Sequence, residues 1–214
     1  MYEFIVFDLD GTLLDTLTDL HASVNFALEK FSFPKRSKDE VRSFVGNGIA
    51  MLIRRAIGRE TPLFEQVFNE FKTHYAAHCA DETQPYAGIL PLLRELQARG
   101  VKTAVVSNKA DFAVKKLAKA YFNGLLLEAV GEDEARGIRK KPAPDSLFSV
   151  MEKLGADKQK TVYIGDSEVD IQTAQNAGVD CISVTWGFKD KAFLIESGAK
   201  NLVDSPDKIL KFCI

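Results

Sequence analysis

The feature that most constrains this chain is its opening, "YEFIVFDLDGTLLDT" over residues 2–16. Tyr2 to Phe7 is rich in β-branched and aromatic side chains and too short for a helix, so it predicts a buried strand of a parallel sheet. Asp8 then falls at the C-terminal end of that strand, the edge at which open α/β sheets bind ligands. A turn through Asp10, Gly11 and Thr12, with Asp15 or Thr16 capping the next helix, accounts for the polar residues that follow. It leaves Asp8 unexplained, because a carboxylate beside an apolar strand is unfavourable unless something pairs with it.

After the strand comes a run of helices. Leu17, Leu20, Val24, Leu28 and Phe31 recur at helical spacing; a second helix starts at Ser37, where Ser37 and Glu40 match the capping-box pattern. Gly46-Asn47-Gly48 breaks it. A third helix carries Ile49, Leu52, Ile53, Ala56 and Ile57, and a fourth is predicted to open with Thr61 as its cap and Pro62 at its first helical position, then to carry Leu63, Phe64, Val67, Phe68, Phe71 and Tyr75. Beyond Pro85 the pattern changes to alternation. Helix 89–99 leads to "VKTAVVSN", helix 111–120 to "LLLEAVG", helix 145–154 to "TVYIGD" and helix 168–177 to "DCISVTWG", with a short edge strand near Asn201 to Val203. Such alternation predicts an α/β fold, a Rossmann-like, doubly wound parallel sheet with helices on both faces. The first strand belongs to that sheet, so the roughly 70 helical residues after it form an inserted all-helical domain rather than a loop. The expected division is 1–13 and 85–214 for the sheet domain and 14–84 for the insertion.

Composition narrows the partners. A net charge of −2 and a pI near 6.0, with Arg139-Lys140-Lys141 as the densest basic run, argue against nucleic acid, whose phosphates are held by clustered cations. Cys79, Cys181 and Cys213 are too widely spaced for a zinc site or a disulfide framework. A strand this close to Met1 and the lack of a long apolar stretch predict neither a signal peptide nor a membrane anchor, and the expected home is the cytoplasm.

The informative residues gather where strands end: Asp8-Leu9-Asp10-Gly11-Thr12, then Ser107-Asn108-Lys109, then Gly165-Asp166-Ser167-Glu168-Val169-Asp170, with Lys141-Pro142-Ala143-Pro144 leading into a helix. Each alone is ordinary turn or cap chemistry. At one sheet edge they offer a nucleophile, a phosphate cradle, a cation and metal ligands. In this order the four motifs resemble the haloacid dehalogenase superfamily of phosphohydrolases, and the helical insertion resembles its helical-cap subgroup. "FDLDGTLLDT" and "VGNG" at 45–48 most resemble phosphoglycolate phosphatases.

The resemblance implies Asp8 as nucleophile, forming an aspartyl-phosphate. Its carboxylate needs no activating base, since its ordinary pKa is near 4. It implies Mg²⁺ held by Asp8, Asp166 and the Asp10 main-chain carbonyl, which together with Lys141 offsets the repulsion between two anions. Asp10 gives a proton to the leaving group and later takes one from water. Ser107, Asn108 and Lys141 bind phosphate; Gly11 permits the turn, Thr12 steadies it, and Asp170 orients Lys141 or an outer-shell water. Specificity falls to the cap, with Asn47 and Arg54 as candidates, or with Arg54 and Arg55 facing solvent. The substrate implied is a small phosphorylated metabolite. Three alternatives remain: a phosphosugar mutase of the same superfamily, a receiver-like phospho-aspartate signalling domain, and a non-catalytic phosphate binder. His74 and His78 have ligand-like spacing but no third ligand, and read as helix-surface or packing residues.

Overall fold

The computed structural model describes residues 1–133 and 137–213. Its main sheet is six-stranded and parallel in the order β5-β4-β1-β6-β7-β8. The members are β1 (Phe4–Phe7), β4 (Lys102–Ala110), β5 (Glu128–Glu132), β6 (Thr161–Gly165), β7 (Asp180–Val184) and β8 (Asn201–Val203). The chain fills one side of β1 with β4 and β5, then crosses to place β6 on the other. The C-terminal end of β1 is therefore the point at which strand order reverses, where a crevice opens in such sheets.

Alternation along the strands builds two cores. Ile5, Phe7, Val105, Val162 and Ile164 face α5 (Ile89–Ala98) and α6 (Asp111–Phe122). Phe4, Val6, Ala104, Val106 and Tyr163 face α7 (Asp145–Leu154) and α8 (Glu168–Ala177). Side chains one residue apart point to opposite faces, which is why both neighbours in each strand are apolar.

Between β1 and α5 lie α1 (Leu17–Lys30), α2 (Lys38–Phe44), α3 (Ile49–Ile57) and α4 (Phe64–His78), packed on one another. The two crossings between this unit and the sheet run side by side as an antiparallel ribbon, β2 (Leu14–Asp15) with β3 (Gln84–Pro85). Buried Asp19 ties the crossing to α1 by accepting from Glu82 N, Thr83 N and Thr83 Oγ1 at 2.7–3.2 Å.

Several local expectations need correction. The capping box at Ser37 and Glu40 is present. Thr61 does not cap α4: its hydroxyl accepts from Leu63 N in a preceding turn, and the helix starts at Phe64. Thr16 stands at the N-cap of α1 but makes no side-chain cap, because its hydroxyl is drawn to Asp10; Asp15 accepts from Leu17 N instead. The strand expected through "LLLEAVG" begins only at Glu128, and the one through "DCISVTWG" ends at Val184. The ribbon, the helix α9 (Lys191–Glu196) and the 3-10 turn Pro206–Phe212 were not anticipated. Among the described residues no helix is long and apolar enough to cross a membrane.

Candidate active site

The end of β1 delivers Asp8 into the interior, 8% exposed, with its main-chain N–H donating to Ile164 O. Gly11 turns the chain back at φ +81°. A Cβ there would stand 2.3 Å from Asp166 Oδ2, so only glycine lets the β1 and β6 loops close together. Gly187, after β7, is packed against Asp166 in the same way. Asp166 is then fixed by Thr12 Oγ1 donating to Oδ1 at 3.2 Å and Phe188 N donating to Oδ2 at 2.7 Å. Trp186 Nε1 donates to Thr12 O at 3.1 Å.

Lys141 reaches the same place from the loop before α7. Its Nζ lies 3.0 Å from Asp8 Oδ1 and donates to Asp170 Oδ1 at 2.7 Å and to Tyr163 Oη at 3.0 Å. Asp170 Oδ2 accepts from Ser167 N and Oγ in the α8 capping box, so this aspartate is committed to holding Lys141 and the helix start. Asn108 braces the main chain of Lys141 by accepting from its N at 2.8 Å and donating to its O at 2.9 Å. Its Nδ2 also lies 3.0 Å from Gly46 O in the helical unit. The Asn108 amide is thus occupied as a brace. Ser107 lines the cavity, its hydroxyl accepting from Lys109 N at 3.3 Å.

The electrostatics are those of a site built for charge. Burial pushes the Asp8 carboxyl up to about 6, with Asp170 and Asp10 adding to the rise and Lys141 opposing it. Burial, then Asp170 and Asp8, push Asp166 well above the usual carboxylate range. Burial works against the Lys141 ammonium, but Asp170 and Asp8 hold its pKa well above the usual lysine value. Asp8, Asp166 and Asp170 bring carboxylate oxygens within 4.8 Å of one another, and buried Asp8 Oδ1 has the Lys141 ammonium, 3.0 Å away, as its ion-pair partner. Among the described residues, four carboxylates here face two buried ammonium groups, Lys109 and Lys141. A divalent cation fits this donor set; hard oxygen ligands with surplus negative charge are what Mg²⁺ takes.

The cavity above Asp8 holds about 40 Å³, room for only a few water molecules on that measure. Asp8, Asp10, Ser107, Lys109 and Asp166 form its floor and Leu20, Val45, Gly46, Gly48, Ile49 and Leu52 its helical side, with Phe188 and Lys189 at the edge. The two specificity candidates are not among these residues. Arg54 is exposed, its guanidinium 4.0 Å above the Phe64 ring in a separate surface cleft, because α3 turns Leu52, Ile53, Ala56 and Ile57 inward. Asn47 lies between the two cavity-lining glycines without lining the cavity itself.

Three contributors were not recognised from sequence. Lys109, read as polar strand-end chemistry, is buried against Asp10, with Nζ donating to Oδ1 at 2.9 Å and Oδ2 at 3.2 Å. Tyr75, an apolar-periodic position of α4, meets the same ammonium. Arg42 of α2 donates to the carbonyls of Phe188 and Gly187 at 2.7 and 2.8 Å, joining the helical unit to the loop that fixes Asp166. The one available signal was charge balance, since Asp8, Asp10, Asp166 and Asp170 gathered at one sheet edge demand buried cations.

His74 packs between Phe26 and His78, ring centroids 4.0 and 4.3 Å away, while His78 lies on the exposed helix surface against Asp81.

The family model described as haloacid dehalogenase-like hydrolase matches residues 5–184. Phosphoglycolate phosphatase of Pseudomonas syringae pv. syringae is 33% identical over 220 residues, covering 99% of this chain and 80% of that protein. The Haemophilus influenzae phosphoglycolate phosphatase is 31% identical, with coverage of 98% and 97%. A solved structure from Lactobacillus delbrueckii subsp. bulgaricus, itself assigned only provisionally as a phosphoglycolate phosphatase, superposes with TM-score 0.92 at 38% identity, covering 97% of this chain and 96% of that one.

Proposed function

The chain belongs to the haloacid dehalogenase-like hydrolase family and is a phosphoester hydrolase; from that premise we propose that it hydrolyses phosphoglycolate, or a phosphate monoester of similar size and charge, through an aspartyl-phosphate on Asp8. The observation that carries the mechanism is Asp8 itself, buried at a strand end with its Oδ1 3.0 Å from Lys141 Nζ. Asp8 and Asp166, with the Asp10 carbonyl, would hold Mg²⁺, which when bound supplies the positive charge that lets an anionic nucleophile meet an anionic phosphate.

In the first step an Asp8 oxygen attacks phosphorus. Lys141 and the Ser107 hydroxyl meet the phosphate oxygens, and a proton on the Asp10 carboxyl passes to the departing alkoxide. In the second step Asp10 takes a proton from the water that attacks the acyl-phosphate, releasing inorganic phosphate and restoring Asp8. Asp170 keeps Lys141 aimed throughout, and the helical unit, residues 14–84 as a cap domain, keeps bulk water out of the first step.

Two features support a small acidic substrate. The cavity is narrow, and Lys189, whose Nζ lies 5.4 Å from the Phe193 ring centroid, stands at its edge, placed to meet a carboxylate on the leaving group. The names of the relatives point the same way. A cytoplasmic setting accords with this chemistry.

The test is a screen of the purified protein with Mg²⁺ against phosphoglycolate, sugar phosphates, nucleoside monophosphates and pyrophosphate, scored by release of inorganic phosphate. Phosphoglycolate is expected to give the highest kcat/KM, with no turnover for Asp8→Asn. Preference for an uncharged leaving group would overturn the substrate assignment. Transfer of phosphate between sugar hydroxyls without net release would instead identify a mutase.

A further inference from the structure

Asp10 is held by donors from two parts of the chain. Thr16 Oγ1, at the start of α1, donates to Oδ1 at 2.6 Å, and Lys109 reaches both carboxylate oxygens. The register of β4 against β5 breaks between Val106 and Ala110, an irregularity of the kind that re-aims side chains beside active sites, and Lys109 lies within it. Its side chain is 1% exposed, and its ammonium sits 4.6 Å from the Tyr75 ring centroid while donating to the phenolic oxygen.

A lysine ammonium has three N–H donors. Asp10 Oδ1, Asp10 Oδ2 and Tyr75 Oη take all three, so none remains for a substrate. Although it lines the cavity, Lys109 is therefore placed as a tether. Tyr75 is itself immobilised, 1% exposed, and the end of its helix is held to α6 by Lys116 Nζ donating to Ala76 O at 2.8 Å. Burial keeps the Tyr75 phenol far from ionising, so its oxygen serves as a neutral acceptor.

We propose that Lys109 is a positioning residue for Asp10 and that Tyr75 sets the position of Lys109, so that the orientation of the Asp10 carboxylate depends on how α4 of the helical unit is seated. The inference rests on the reading of Asp10 as the group that exchanges protons with the leaving oxygen and water. The coupling acts through side-chain geometry: a carboxylate freed from its tether samples other rotamers, and a displacement of about 1 Å at a reacting group costs about 10²-fold in rate.

The experiment measures single-turnover phosphorylation of the full-length protein with Mg²⁺, on an alkyl phosphate and on p-nitrophenyl phosphate, whose leaving group needs no proton. Asp10→Asn is expected to lose roughly 10² to 10⁴ on the alkyl substrate and far less on the aryl one. Lys109→Met should lose about 10- to 100-fold on the alkyl substrate with the same leaving-group selectivity, little change in KM, and no further loss when added to Asp10→Asn. Tyr75→Phe should show the same selectivity at smaller size, and Lys109→Arg should recover part of the rate. Thermal melts check folding; should Lys109→Met not fold, Tyr75→Phe and Lys109→Arg carry the comparison. Equal losses on both substrates for the Lys109 and Tyr75 variants, or multiplicative losses in the double variant, would overturn the tether while leaving the role of Asp10 intact. Equal losses for Asp10→Asn itself would overturn the role of Asp10, and the tether with it.

Discussion

Asp8→Asn separates what the site does from what it contributes to stability. In the metal-free protein burial raises the Asp8 carboxyl from its ordinary 3.8 to about 6. Between about pH 4 and about pH 6 the folded state therefore binds more protons at Asp8 than the unfolded chain, so its stability falls as pH rises through that window. By pH 7 the ionised carboxylate disfavours the fold by ~3 kcal/mol, an order-of-magnitude figure from the width of that window. Asn has nearly the same shape and no charge. The metal-free Asp8→Asn variant is expected to be inactive yet more stable than the parent at pH 7, with Tm about 6–12 °C higher for a chain of this size. Near pH 4 the two should differ little, and saturating Mg²⁺ should narrow the gap by binding the parent more tightly. The assay is thermal and urea unfolding from pH 4 to 8, with chelator and then with Mg²⁺. A variant no more stable than the parent at pH 7 without metal would refute the claim that Asp8 is held in an environment hostile to its charge.

Lys141→Met removes the cation that Asp8 and Asp170 share at 3.0 and 2.7 Å, leaving buried carboxylates without it; unfolding assays are expected to show a loss of ~3–5 kcal/mol, part of it regained in Lys141→Met/Asp170→Asn. Gly11→Ala places a Cβ 2.3 Å from Asp166 Oδ2 at a left-handed φ, so Asp166 must give way by about 1 Å. Kinetics and melts should show a rate loss on the order of 10² and ~1–2 kcal/mol of destabilisation. Lys189→Met should raise KM for phosphoglycolate several-fold while leaving KM for an uncharged alkyl phosphate unchanged, if Lys189 meets the leaving-group carboxylate.

The sheet was legible because its information is local. Strands such as Phe4–Phe7 and Thr161–Gly165 are short apolar runs bounded by polar turns, and helices such as Asp145–Leu154 show their period directly. The residues that meet at the strand ends could be named because strand order puts those ends on one edge. What escaped depends on contacts far apart in sequence. Thr61 has the right chemistry for a cap, yet Leu63 N takes its hydroxyl one turn early, and nothing local distinguishes the two. Thr16 would cap α1 were Asp10 not within 2.6 Å. Lys109 and Tyr75 are 34 residues apart in sequence, and each fits a bland pattern, a lysine past a strand and an aromatic on a helical stripe. Arg54 failed for a plainer reason: the apolar positions of α3 fix which way the helix faces, and they turn Arg54 away from the cavity.

Asp166 and Asp10, the two carboxylates that the proposed mechanism must place, are held through the helical unit as well as the sheet. Asp166 takes a hydrogen bond from Phe188 N, and the carbonyls of Gly187 and Phe188 in that same loop are gripped by Arg42 of α2. Asp10 is held by Lys109, whose third donor goes to Tyr75 of α4. Asn108, which braces Lys141, reaches Gly46 between α2 and α3. Three separate contacts thus run from the helices to the nucleophile's surroundings, and none of the three helical residues need touch the phosphate. A carboxylate nucleophile is ionised at neutral pH whether or not substrate is bound, so it cannot be switched on by a base as a serine is. On the proposed mechanism, control lies in assembling its partners, and the contacts of Arg42, Tyr75 and Gly46 make the seating of the helices bear on Asp166, Asp10 and Lys141.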